Sequence, residues 1–244
     1  KTFGIDFSGE VQPDFPAIMA RKDKVVSTLV SGIDKAFKTG EVALIKGTGE
    51  VVNPNLVRVV DQEGTSYEVA GDKLILATGS RPQALPNLCL DGKRILSSDD
   101  VLKLETIPGK IIILGGGVIG AEFAFIFKQF GSEVIVLEAM DRLIPMPNVD
   151  IDMSKTLLRE MKKSKIAVHM KTTITGIQTT ADGKVTAILG PSPFFDEASH
   201  KPVQDRQLLA DAIFLTVGRA PNSSGIGIAQ MGVELDNKGW VLAN

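Results

Sequence analysis

The stretch Ile111-Ile112-Ile113-Leu114-Gly115-Gly116-Gly117-Val118-Ile119-Gly120, read on to Glu138, decides the fold. Four apolar β-formers in a row suit a strand buried on both faces. The glycines then read Gly115-x-Gly117-x-x-Gly120. Apolar residues recur at helical spacing from Val118 to Phe130, and Val134-Ile135-Val136-Leu137 is a second buried-strand pattern. Each glycine meets a physical need: the first a tight turn, the second close approach of backbone to a pyrophosphate, the third close packing of helix on strand. The helix start at Val118 and Ile119 offers unpaired N–H groups and a positive dipole end to phosphates. Glu138 ends the second strand some twenty residues beyond the glycines, where a carboxylate accepts hydrogen bonds from an adenosine ribose. Strand, turn, helix, strand and acid in this order point to a dinucleotide-binding βαβ unit.

Two plainer readings compete. A membrane span over Ile111–Phe127 carries three consecutive glycines and Glu122 near its middle, and falls short of the ~20 apolar residues a bilayer requires. An ordinary strand–helix turn without a ligand also accounts for the glycines. The composition agrees with an α/β protein: 244 residues, 43% hydrophobic and 23% charged. A net charge of −2 and a pI near 5.8 argue against a nucleic-acid surface. The basic run Arg21-Lys22-Asp23-Lys24 reads as a solvated helix face. A single cysteine, Cys89, excludes an internal disulfide and reads as a small packed residue between Leu88 and Leu90. With two histidines, His169 and His200, and no clustered ligands, no metal site is expected. Nothing from Lys1 onward resembles a signal peptide. No membrane partner and a cytoplasmic location are expected.

Working outward, Pro13–Lys38 reads as one long amphipathic helix, with Ile18, Val25, Val26, Leu29, Val30, Ile33 and Phe37 at three- and four-residue steps. Short strands are expected at Val42–Ile45, Leu56–Val60 and Ser66–Val69. Leu74-Ile75-Leu76-Ala77 is again a buried-strand pattern. A turn-rich connection runs to about Pro108. After the βαβ unit come a helix over Asp150–Lys163 and strands at Ala167–Met170 and Thr173–Gln178. The loop 190–207, with Pro191, Pro193 and Pro202, receives no functional reading.

One internal echo matters more than these assignments. Asp72–Pro82 aligns without gaps on Asp211–Pro221, and both copies run from an apolar strand into Gly, Arg and Pro. Two copies of one strand-and-turn imply two related dinucleotide-binding halves. By the same spacing, the first half's own glycine fingerprint is expected upstream of Lys1.

These residues resemble the pyridine nucleotide–disulfide oxidoreductase family, and within it the dihydrolipoamide dehydrogenases. The resemblance rests on Asp14-Phe15-Pro16 with Met19–Val26, on Ala77–Pro82 and on Gly115–Glu122. It extends to Val136-Leu137-Glu138 and Val217–Asn222, and covers nearly the whole chain. It implies an α/β fold of tandem Rossmann-like FAD/NAD(P)-binding domains, the first incomplete, with small antiparallel meanders. The expected divisions are 1–106 for a partial FAD-binding domain, 107–222 for the NAD-binding domain and 223–244 for the start of a return segment.

By resemblance, Gly115, Gly117, Val118, Ile119 and Gly120 cradle the NAD pyrophosphate and Glu138 binds the ribose. Glu122 stands beside the nicotinamide amide, Ile174 near adenine and Gly218 near the nicotinamide end. Gly47 and Gly49 resemble backbone passing the FAD adenine, and Thr78, Gly79 and Ser80 a turn close to the flavin. The family's flavin fingerprint and redox-active cysteine pair are expected before Lys1. Its second flavin motif, dimerisation domain and catalytic His–Glu pair are expected beyond Asn244. The chain itself therefore offers no catalytic residue. The implied activity passes electrons from a dithiol through an enzyme disulfide and FAD to NAD⁺, in a homodimer whose partner is a small dithiol or a lipoyl-carrying protein. Two alternatives stay open: a flavoenzyme resembling NADH oxidases or ferredoxin reductases, and a non-catalytic NAD-binding module.

Overall fold

The computed structural model describes residues 12–196 and 207–243. In chain order the first elements are α1 (Phe15–Thr39), β1 (Thr48–Asn53), β2 (Leu56–Val60), β3 (Ser66–Ala70), β4 (Ser80–Pro82), β5 (Ile95–Leu96) and α2 (Ser98–Val101). The βαβ unit follows as β6 (Lys110–Leu114), α3 (Val118–Gln129) and β7 (Glu133–Glu138). Then come α4 (Ile151–Lys163), β8 (Ala167–Met170), β9 (Thr172–Thr179), β10 (Val185–Pro191), β11 (Gln207–Ala210), β12 (Ala212–Leu215) and β13 (Arg219–Pro221). Two compact units result, one of Lys1–Val30 with Leu85–Thr216, the other of Ser31–Ala84 with Val217–Asn244.

The first unit is built on a five-stranded parallel sheet in the order β5-β12-β6-β7-β8. The interiors of its central strands are apolar because both faces are covered. Ile111, Ile113, Val134, Val136, Ala212 and Phe214 face one cluster with Ala121, Ala124 and Phe127 of α3 and Met161 of α4. The Phe123 and Phe214 rings meet edge to face at 5.1 Å, a favoured aromatic geometry. Ile112, Ile135, Ile213 and Leu215, which alternate with these, are also buried. An antiparallel meander, β9-β10-β11, approaches the sheet through β9 near β7 and β11 near β6. Asp150 N-caps α4 by accepting from the Asp152 amide. Before β5, Asp91 accepts from the amides of Lys93, Arg94 and Ile95. Burial raises its carboxyl pKa, but those donors and the Arg94 charge outweigh burial and hold it below the usual carboxylate range.

The second unit holds the meander β1-β2-β3 and a two-stranded ribbon of β4 with β13. Leu56–Val60 and Ser66–Ala70 are strands as expected, and β1 is one that the sequence reading does not supply. Two expectations fail here. Val42–Ile45 is irregular, and Val42, Leu44 and Ile45 are exposed. Leu74–Ala77 is also irregular rather than a buried strand, and Ile75 is 86% exposed. Neither segment has a hydrogen-bonding neighbour strand among the described residues, and apolar β-formers make a strand only where an adjacent backbone completes the ladder.

Helix α1 forms where its periodicity places it, yet none of its residues is buried, and Val25, Val26, Leu29, Val30 and Ile33 are each at least half exposed. Its N-terminal Phe15 packs edge-on against Phe130, and Lys22 donates to Leu102 O. Cys89 corrects another expectation: Leu88 is fully buried, and the next side chain, Cys89, is exposed. Residues 197–206 of the proline-rich loop lie outside the described residues. No helix among the described residues is long and apolar enough to cross a membrane.

Candidate dinucleotide-binding site

The glycine turn begins where β6 ends, and its shape follows from its neighbours. Gly115 has φ +114°, a conformation L side chains rarely adopt, and a Cβ there would meet Thr216 O at 2.5 Å. A Cβ on Gly120 would collide with Gly115 O, so only glycine lets α3 start this close to β6. Gly117 is the N-cap of α3, has open space where a Cβ would stand, and offers no side chain to satisfy the first-turn amides. The N–H groups of Val118, Ile119 and Gly120 therefore present a helix N-terminus without a side-chain cap, the arrangement that accepts a phosphate.

Glu138 ends β7 and is 5% exposed. Its Oε2 accepts from the Gly116 amide at 2.5 Å and its Oε1 from the Met140 amide at 2.7 Å. Each carboxylate oxygen keeps a further lone pair, so a ribose hydroxyl can be accepted without breaking either bond. Gly116, outside the fingerprint read from the sequence, thus joins the site through its backbone. A Cβ at Gly116 would stand 2.5 Å from Leu143 Cδ2 and 3.0 Å from Glu138 Oε2. Its carbonyl accepts from the Ile144 amide at 2.9 Å. The loop carrying Leu143 and Ile144 is tied down in turn. Arg142 donates to Met146 O and Val149 O, and the buried Ser154 hydroxyl donates to Leu143 O.

On the opposite flank, Thr216 follows β12. Its amide donates to Leu114 O at 2.8 Å, and its hydroxyl lies 2.8 Å from Gly115 O and 3.1 Å from Leu114 O. The sequence reading passed over Thr216. The signal available was the echo itself, which aligns it with Ala77: a hydroxyl where the other copy has a methyl.

The structure thus brings Gly115, Gly117, Val118, Ile119, Gly120 and Glu138 together, with Glu122 exposed on α3 just beyond the turn. Ile174 stands on β9 in the meander, 2% exposed, and its carbonyl accepts from Asn87 Nδ2. Gly49, Thr78, Gly79, Ser80 and Gly218 belong to the second unit. There, Gly49 pairs with Val59, and Asn222 binds the carbonyls of Thr78 and Gly79 through its side-chain and main-chain nitrogens. Ser80 Oγ accepts from Arg219 Nε. Thr78 and Gly79 also line an apolar cavity of about 480 Å³ with Leu76, Ile228, Met231 and Trp240. No cluster of histidine, cysteine or acidic side chains able to hold a metal occurs among the described residues.

Known proteins resemble this chain along most of its length. Residues 5–244 match the family model described as pyridine nucleotide-disulphide oxidoreductase. The chain belongs to that family. Leghemoglobin reductase of Glycine max is 35% identical over 99% of this chain and 44% of its own length. Mitochondrial dihydrolipoyl dehydrogenase of Dictyostelium discoideum is also 35% identical, over 98% of this chain and 47% of its own. Among solved structures, LpdA of Mycobacterium tuberculosis superposes with a TM-score of 0.79 at 24% identity, over 94% of this chain and 48% of that one. The HOCl-induced flavoprotein disulfide reductase RclA of Escherichia coli gives 0.76 at 24% identity, over 96% and 49%. Both share the fold, and the chain spans about half the length of the relatives it matches.

Proposed function

We propose that this chain supplies the nicotinamide-nucleotide site of an FAD- and NAD-dependent, dihydrolipoamide dehydrogenase-like enzyme. The observation that carries the reading is the pairing of an uncapped α3 N-terminus at Gly117 with the Glu138 carboxylate fixed beside it. The relatives' names supply the lipoamide half. The overall reaction oxidises a dithiol to a disulfide and reduces NAD⁺ to NADH with release of a proton, the two electrons passing through an enzyme disulfide and FAD. Bound NAD⁺ supplies the hydride acceptor and FAD the intermediate carrier, while the protein binds, orients and excludes water. Gly117 and the amides of Val118, Ile119 and Gly120 hold the pyrophosphate. Glu138 holds the ribose and disfavours a 2′-phosphate by charge, which selects NAD over NADP. Glu122 faces the nicotinamide end, and Thr78, Gly79 and Ser80 serve the flavin.

The remaining expectations belong to the same proposal. They are a lipoyl-carrying protein or small dithiol as partner, a homodimer, and a cytoplasmic location, although the Dictyostelium relative is named as mitochondrial. The leghemoglobin reductase relative favours a second reading, in which NADH held at this site is oxidised to NAD⁺ and its two electrons pass through FAD to an acceptor other than a lipoyl disulfide. The visible spectrum of the intact protein, followed by NAD⁺ reduction with dihydrolipoamide, tests both. A flavin spectrum with dihydrolipoamide-dependent NADH formation supports the first reading. A flavoprotein that ignores dihydrolipoamide supports the second, and a colourless protein that binds NADH overturns both in favour of a non-catalytic module.

A further inference from the structure

The peptide joining Gly115 to Gly116 is held from both sides of the sheet. A trans peptide is planar, and its C=O and N–H point in opposite directions. The Gly115 carbonyl faces the Thr216 hydroxyl at 2.8 Å, beyond the end of β12. The Gly116 amide, on the same plane, faces Glu138 Oε2 at the end of β7. The strand order β12-β6-β7 makes this possible, because β6 lies between the two tethering strands. It is also the place where the chain order reverses across the sheet, which is where open α/β sheets bind ligands.

We propose that Thr216 is a positioning residue for the nicotinamide dinucleotide, acting through the Gly115–Gly116 peptide on both the glycine turn and Glu138. This rests on the nucleotide-site reading above. The hydroxyl has one proton and two carbonyls in reach, with Gly115 O nearer at 2.8 Å than Leu114 O at 3.1 Å, and its oxygen stands 2.7 Å from the place a Gly120 Cβ would occupy. It therefore fills the corner between β6 and the start of α3 while fixing the peptide's rotation. If the tether is lost, the peptide can turn. Such a turn carries the Gly116 amide away from Glu138 and swings the carboxylate out of line for the ribose.

The test uses the intact protein and NADH as the probe, titrated by fluorescence, in the parent and in Thr216→Val, Thr216→Ala and Thr216→Ser. Removing the hydroxyl that satisfies the half-buried Gly115 carbonyl should weaken NADH binding about tenfold in the Val and Ala variants. Thr216→Ser, which keeps the hydroxyl, should stay within about twofold of the parent. If the Val variant fails to fold, the Ala–Ser pair still isolates the hydroxyl. Combination with Glu138→Gln separates positioning from general packing: coupling through one peptide predicts that Thr216→Val adds little in that background. NADH affinity unchanged without the hydroxyl, a Ser variant as weak as Val, or full additivity with Glu138→Gln would each overturn the proposal. A parent protein that binds no NADH would instead overturn the nucleotide-site reading itself.

Discussion

The two echoed segments, Asp72–Pro82 and Asp211–Pro221, carry nearly the same pattern and reach different ends. In the second copy, Ala212–Leu215 is β12, paired in parallel with β5 and β6 on its two sides and buried along its length. In the first copy the matching Lys73–Leu76 forms no strand, and Ile75, aligned with the fully buried Phe214, is 86% exposed. Only the tails converge: Ser80–Pro82 and Arg219–Pro221 pair with each other as β4 and β13. A buried-strand pattern is thus a capacity to pair. Whether it becomes a strand depends on the presence of neighbours on both sides.

Truncating the aligned side chains separates the two copies most strongly. Phe214→Ala should cost about 3–5 kcal/mol in denaturant titration, as a fully buried aromatic does. Ile75→Ala should cost under about 0.5 kcal/mol in this polypeptide, as an exposed side chain does. A loss of 2 kcal/mol or more at Ile75 would mean that something beyond the described residues covers it. The turns come next. Gly218 at φ +125° lies outside the left-handed helical region, whereas Gly79 at φ +68° lies at its edge. Gly218→Ala should therefore cost about 1–3 kcal/mol and Gly79→Ala about 1, both read by thermal melting. Equal losses would make the two turns equivalent.

The strand-leading acids differ as well. Asp211 accepts from the Lys110 amide and pairs with Lys184, whereas Asp72 is exposed and its backbone carbonyl accepts from Asn55. Asp211→Asn should cost about 1 kcal/mol, and Asp72→Asn close to nothing, in the same titration. The smallest effect belongs to the arginines. Arg81 donates to Pro221 O and Asn222 Oδ1, and Arg219 to Ser80 Oγ and Ser80 O. Both are exposed, so each alanine variant should cost less than about 1 kcal/mol. The double variant should exceed the sum if the ribbon acts as one element, and double-mutant analysis of melting data would show it.

The glycine fingerprint was legible in the sequence because its requirements are local. A positive φ, a helix start against a carbonyl and an open N-cap each leave a glycine at a fixed offset. Glu138 was legible for the same reason, since one βαβ unit sets its distance from the turn. Gly116 and Thr216 were not. Gly116 matters for its amide and for the space Leu143 takes beside it, and Thr216 reaches the turn only through the pairing of β12 with β6. Leu74–Ala77 and Val42–Ile45 misled for the complementary reason: their residues favour strands, but a strand is a property of two backbones. Cys89 shows the same limit on a smaller scale, because the stretch turns Leu88 inward and leaves Cys89 exposed.

The β4–β13 ribbon has a modular consequence. The chain leaves the second unit after Ala84 and returns at Val217, and beside these ends the Gln83 amide donates to the Gly218 carbonyl at 3.1 Å. Exit and re-entry therefore share a single doorway, the geometry that lets one folded piece be spliced into another without stretching the host. Leu85–Thr216 is threaded through that doorway, while the N-terminal half of α1 joins the same compact unit from elsewhere in the chain. A chain that bridges Gln83 to Gly218 directly should retain the β1-β2-β3 meander and its ribbon.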